Sequence, residues 1–177
     1  MSAYTTRQAL LANGQAGSIV MVVGFTGHQD IPDAALAFVK KGITRVLRRL
    51  GKEFTGVSSL AAGADQLFAE TVLQLGGRLH VVIPCEGYET TFLDGPALDW
   101  FRHLLEKADT VETLEHPRPS EDAFLDAGHR VVELSQVLVA VWDSREARGK
   151  GGTADIVRYA RERRTEVVVV WPPGIAR

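Results

Sequence analysis

Three uninterrupted apolar runs, residues 19–23, 137–142 and 167–171, set the tightest limit on what this chain can fold into. Each is far shorter than the roughly 20 apolar residues that span a membrane. Each is apolar at every position rather than at alternate ones, so it reads as a strand covered on both faces, as in a parallel sheet between layers of helices. Between the runs the period changes. After Pro32, apolar residues recur at three- and four-residue steps through Ala35, Leu36, Val39, Ile43, Val46, Leu47 and Leu50, the spacing of an amphipathic helix.

The alternation of the two patterns continues along the sequence. The first helix is expected to begin at Pro32 with Asp30 as its cap, and Gly51 ends it. Phe54–Ser58 is a weaker strand, and residues 65–75 are helical up to Gly76 and Gly77. A third strand, 79–83, stops at Pro84, and a helix covers 98–108. Residues 110–114 alternate in character and read as an edge strand. Ser120 caps a helix that runs to about Ser135, residues 153–164 form another, and Pro172 and Pro173 close the last strand.

Regular strand–helix alternation implies parallel strands joined by right-handed crossovers. The expected fold is α/β: a three-layer, Rossmann-like arrangement of about six mainly parallel strands in the order 4-3-2-1-5-6, with helices on both faces. The chain reverses direction between the first and fifth strands. Ligands of open α/β sheets bind at such a crevice, beyond the carboxyl ends of the strands. Residues 1–17 are small and polar and read as a flexible extension or a short docking arm. Residues 18–177 read as one domain, since no linker or internal repeat interrupts them.

Lys and Arg total 20 against 22 Asp and Glu. Nucleic-acid-binding domains usually carry a basic excess or stripe, so nucleic acid is not the expected partner. The polar face of the first helix carries Lys40, Lys41, Arg45, Arg48 and Arg49, and reads as a solvated face. The single cysteine, Cys85, excludes an intrachain disulfide and reads as a small buried hydrophobe. With no signal-peptide pattern, the expected compartment is the cytoplasm. The five histidines show no metal-ligand spacing. No metal, other cofactor or membrane partner is expected.

Three loops are expected to converge at the crevice. Gly24, Thr26, Gly27 and His28 follow the first strand, where glycines let a backbone approach a ligand. Their spacing is neither a dinucleotide fingerprint nor a Walker A loop. Ser59, Gly63 and Asp65 belong to the small-residue segment after the second strand, which serves either close packing or a ligand. Gly149, Lys150, Gly151, Gly152 and Thr153 open a helix after the fifth strand, and a helix N-terminus is a ready phosphate site. Asp143, at the end of that strand, stands where ribose hydroxyls are often held.

In this order the loops resemble those of the SLOG superfamily, named for the DNA-processing protein Smf/DprA and the LOG nucleotide hydrolases. The resemblance covers residues 19 to 173. Its elements are the glycine segment 24–28, the Ser-small-Gly-x-Asp pattern of residues 57–65, an Arg-bearing helix segment 129–135, and the Gly-Gly-Thr of Gly151, Gly152 and Thr153. It implies a site for a nucleotide or nucleotide-derived small molecule, in a sensor or ligand-binding domain. An alternative implied by the LOG branch is an N-glycosidase, a phosphoribohydrolase acting on nucleoside monophosphates. There Asp155 would stand near the family's Glu, with Glu86 as another acid and Arg130 as the cation. The DprA branch implies a third alternative, a single-stranded nucleic-acid module.

Glu86 and Tyr88, after the third strand, could reach a base or sugar. Trp142 and Trp171 end strands and read as core. Superfamily members are commonly oligomeric, so a homodimer or larger homo-oligomer is expected. The helix at 122–134 is its candidate interface, because Phe124, Leu125, Val131 and Val132 spread around more than one face.

Overall fold

In a computed structural model describing residues 20–146 and 150–176, six strands form one sheet in the order β4-β3-β2-β1-β5-β6. They are β1 (Met21–Gly27), β2 (Phe54–Ser58), β3 (Arg78–Ile83), β4 (Thr110–Thr113), β5 (Val137–Val141) and β6 (Glu166–Val169). Every neighbouring pair is parallel. The helices between them are α1 (Asp33–Arg49), α2 (Ala64–Gln74), α3 (Pro96–Glu106), α4 (Glu121–Glu133) and α5 (Thr153–Glu162), with a 3-10 turn at Tyr88–Thr91. The fold class and strand order are those expected from the sequence. The extension at 1–17, Ile19 and Gly149 lie outside the described residues.

Alternate side chains of each strand enter different cores. Val23, Phe25, Val81 and Val139 meet α1, α2 and α3 on one face. Val57, Val82, Leu138 and Ala140 meet α4 and α5 on the other. Phe25 stacks on Phe68 of α2, with ring centroids 4.5 Å apart, and burying rings of this size contributes about 3 kcal/mol each. The apolar runs of β1 and β5 follow directly, because a central strand must be apolar on both sides. The run at 167–171 instead begins in β6, an edge strand whose Val169 is 40% exposed and which is not covered on both faces as expected.

Two expectations shift. The glycine segment after the first strand is itself strand: β1 continues to Gly27, which is in register with Val141 of β5. Gly24 is buried mid-strand, where an added Cβ would lie 2.4 Å from the Ser135 hydroxyl and 3.0 Å from Val131. A Cβ at Gly27 would meet Ala64 at 2.6 Å. The glycines thin the sheet so that helices can sit close on both faces. The first helix starts at Asp33, not Pro32, and no side chain caps it. Pro32 occupies the cap position, and its carbonyl accepts the amides of Ala35 and Leu36.

The apolar residues of α4 are used inside the chain. Val131 and Val132 are 1% exposed. Phe124 packs on the first core and Leu125 on the second, so their spread carries no argument for a two-fold interface. Ser120 does cap α4, its hydroxyl accepting the Ala123 amide at 3.1 Å. Among the described residues, no helix is long and apolar enough to cross a membrane.

Candidate functional site

His28 ties the three loops together at the carboxyl end of the sheet. Its amide donates to Val141 at 3.1 Å, and its carbonyl accepts the Ala64 amide at 3.1 Å. Its Nε2 lies 3.0 Å from Asp143 Oδ1 and 3.1 Å from the Asp143 amide. One tautomer accepts from the amide, and the other donates to the carboxylate. The two side chains are 2% and 1% exposed, and Trp171 meets the imidazole edge-on at 5.3 Å. Asp143 Oδ1 thus faces His28 and also accepts the Arg145 amide at 3.3 Å, while Oδ2 lies 3.9 Å from the Arg145 guanidinium. Replacing His28 by alanine strips a buried carboxylate of its imidazole. It is expected to lower stability by about 3 kcal/mol, measurable by urea denaturation, and a loss under 1 kcal/mol would refute this bracing role.

The loop after β2 wraps around an acid of its own. Asp65, in the first turn of α2, accepts the Ser58 hydroxyl at 2.9 Å and the backbone amides of Ser59 and Ala61. The Ser58 hydroxyl in turn accepts the Leu60 amide at 3.1 Å. Leu60 is buried in the left-handed region, with φ 56°. Burial outweighs these hydrogen bonds and pushes the Asp65 carboxyl up to about 7. Gly63, with φ 85° and ψ −119°, precedes α2 without a side-chain cap.

The loop after β5 does likewise. Asp155 Oδ2 accepts the Gly151 amide at 3.0 Å, while its other oxygen pairs with Arg158. Gly151 has φ 81°, and a Cβ there would lie 2.8 Å from the Leu125 amide nitrogen. Gly152 stands at the cap position of α5 with φ −72° and ψ 169°, and no side chain caps the helix. Thr153 is 7% exposed. Lys150 pairs with Asp122 of α4, so this loop is anchored to the neighbouring helix.

The remaining candidates separate. Glu86 is exposed at the same edge, its amide bonded to the His116 carbonyl at 3.0 Å. Tyr88 is 7% exposed among Phe92, Phe101 and Phe124, and burial holds its hydroxyl far above the usual phenol range. Cys85 is buried, and burial raises its thiol. Arg130 grips Glu112 of β4 with two nitrogens, at 2.8 and 3.2 Å, and is not brought to the three loops. Among the described residues no three His, Cys, Asp or Glu side chains gather as metal ligands. Sequence reasoning missed Ser58 and Gln66. Gln66, 6% exposed, donates to the Ala97 carbonyl at 2.8 Å, tying α2 to the start of α3. Their only signal is polarity at positions that face the core.

This architecture is a parallel, Rossmann-like sheet with its loops gathered at a strand-order reversal. Among solved structures it is similar to DNA processing protein A (DprA) from Streptococcus pneumoniae, at TM-score 0.63 and 20% identity over 85% of this chain. It is also similar to the Helicobacter pylori DprA, described for its single-stranded DNA binding mode, at 0.61 and 19% over 84%. The structural-genomics target TM1055 matches at 0.54 and 14%, over 84% of this chain and 72% of its own. The chain spans 50% of the pneumococcal protein and 64% of the Helicobacter one. The fold is thus the one these DprA structures have, in agreement with the α/β architecture expected from the sequence. No protein-family model matches the sequence, and no curated protein does.

Proposed function

We propose that the chain binds a nucleotide-derived small molecule beyond the ends of β1, β2 and β5, with its phosphate toward the start of α5. One observation carries this reading. Helices α2 and α5 lie on opposite faces of the sheet and both begin on glycine without a side-chain cap. They flank the end of β1, where strand order reverses. Amides ahead of a helix's first internal bond have no acceptor within that helix and suit an anion. At α5 that first bond runs from the Asp155 amide to the Gly152 carbonyl, while at α2 the Ala64 amide is taken by the His28 carbonyl.

The carboxylates favour binding over glycoside hydrolysis. Asp155 is engaged by the Gly151 amide and Arg158, Asp65 is enclosed by its own loop, and Asp143 faces His28. Arg130, the cation the glycosidase alternative calls for, is held by Glu112.

The test is native mass spectrometry of the purified protein, followed by titration with nucleoside monophosphates. A retained or titratable nucleotide is expected. The Gly152 backbone angles suit any residue, so Gly152→Val should still fold. The valine side chain crowds the first-turn amides, and binding should weaken at least tenfold. Asp155→Asn keeps an acceptor for the Gly151 amide and should still bind. Absence of any nucleotide binding by the native protein would overturn the proposal. Base release by the native protein that vanishes in Asp155→Asn would establish the glycosidase instead.

A further inference from the structure

The two edges of the sheet differ in chemistry. At one edge β4 presents Thr110, Glu112 and Thr113, with Glu112 held by Arg130. At the other, β6 has a single charge, Glu166, followed by Val167, Val168 and Val169. Val167 and Val168 are half-buried, and Val169 is 40% exposed. Natural edge strands are usually blunted by charge, proline or a bulge, which deter further pairing. Residues 167–169 carry neither charge nor proline, and Pro172 comes only after the strand has ended. The free side of β6 follows from its bonding. The Val170 amide donates to the Ala140 carbonyl of β5 at 2.8 Å. Successive residues of a strand turn their amides and carbonyls to opposite sides, so those of Val168 also face β5 and those of Val167 and Val169 face outward. No described strand lies beyond them.

Helix α1 supplies the side chains along this edge. An added Cβ at Gly42 would lie 2.3 Å from Val170 Cγ1, so α1 passes directly over the end of β6. Phe38 stands one turn before Gly42, Arg45 one turn after it and Arg49 two turns after it, all on one stripe of the helix. The helix starts after the carboxyl end of β1 and finishes before β2 begins, so it runs opposite to the strands. Arg45 and Arg49 therefore follow β6 back toward its amino end. Both are exposed. Among the described residues they form no ion pair, whereas Arg102, Arg130, Arg145, Lys150 and Arg158 each meet a carboxylate. A second copy of the chain paired through the same edge would bring two such cationic stripes together, and like charges oppose that arrangement.

We propose that β6 takes up an extended, acidic polypeptide segment of a partner protein as a seventh strand of the sheet. Glutamate or aspartate at alternate positions of that segment faces Arg45 and Arg49, and the apolar side chains between them cover Val167 and Val169. The outward amides and carbonyls select a polypeptide backbone over other anions, and the arginines select an acidic sequence. The proposal is independent of the small-molecule reading, since it uses an edge of the sheet rather than the loops beyond its strand ends.

Fluorescence anisotropy with a labelled peptide of alternating valine and glutamate, about ten residues long, tests it. Binding is expected, and it should fall at least tenfold when alternate backbone amides of the peptide are N-methylated or when lysine replaces glutamate. The Val169 amide faces away from β5, so Val169→Pro removes an outward donor without breaking the ladder. That variant should keep its circular dichroism and lose at least tenfold in affinity. The double variant Arg45→Glu, Arg49→Glu should lose at least as much. Hydrogen exchange of the Val167 and Val169 amides should slow on adding the peptide, while Val168 is unchanged. No binding at about 1 mM peptide, the range of the weakest contacts, overturns the proposal. So does equal binding of the N-methylated or the lysine peptide, or binding indifferent to Val169→Pro or to the charge reversal. A native dimer that Val169→Pro splits would assign the edge to a second copy and overturn it as well.

Discussion

Replacing Gly63 by alanine is expected to destabilise the protein by about 4 kcal/mol, at the upper end of single-substitution effects. Two costs combine. Gly63 has φ 85° and ψ −119°, where an L side chain is strained by about 1–2 kcal/mol. Its Cβ would also lie 1.9 Å from the Gln29 carbonyl oxygen, and main chain cannot swing aside as a side-chain tip can. Relief requires the β1 and β2 loops to part, which strains the bond from the Ala64 amide to the His28 carbonyl. The melting temperature should fall by roughly 10 °C, at about 2–4 °C per kcal/mol for a domain of this size. Gly76→Ala is the control. Gly76 has φ 75° but nothing within 4 Å of an added Cβ, so only the backbone cost of about 1 kcal/mol applies. Equal melting temperatures for the two variants would show that the loops do not approach as described.

Asp65 makes stability depend on pH in an unusual direction. Burial holds its carboxyl at about 7 in the folded protein, against an ordinary 3.8. Between those values the folded state keeps a proton that the unfolded state has released. Stability therefore falls as pH rises through this window, and the loss is complete above about 7. At about 1.4 kcal/mol per pH unit, the contribution is on the order of 4 kcal/mol. Asp65→Asn should remove that slope, because its amide accepts from the loop and never ionises. Urea titrations of both proteins from pH 4 to 8 read the difference, and carbon NMR of the carboxyl reads its titration directly. Parallel stability curves, or an Asp65 that titrates near 4, would refute the assignment.

The same loop shows where sequence reading stops. That Asp65 opens a helix after small residues is visible in the order Gly63, Ala64, Asp65. That its carboxylate turns back to Ser58 and to two loop amides is not, because an acid in the first turn of a helix is equally consistent with an exposed partner of the dipole. The glycines of β1 illustrate a second limit. A glycine that admits a ligand and one that admits a helix look identical in sequence, and Gly24 and Gly27 admit Ser135, Val131 and Ala64. Arg130 is a third case. Its place in an Arg-bearing helix segment follows from the motif, while its grip on Glu112 depends on an edge strand that packs against that helix.

What the sequence by itself determined is the parallel sheet, its strand order and the edge at which the loops gather. Those follow from local periods: uninterrupted apolar runs for the strands, of which β1 and β5 are central and β6 is an edge, three- and four-residue spacing for the helices between them, and the handedness of their connections. Only the tertiary structure decided what each polar side chain meets. His28 and Asp143 are separated by 115 positions yet lie 3.0 Å apart, and no local pattern records such a contact. Whether a carboxylate faces a ligand, a loop amide or an imidazole is set by burial and by neighbours brought from distant segments, and these exist only once β1 and β5 lie side by side.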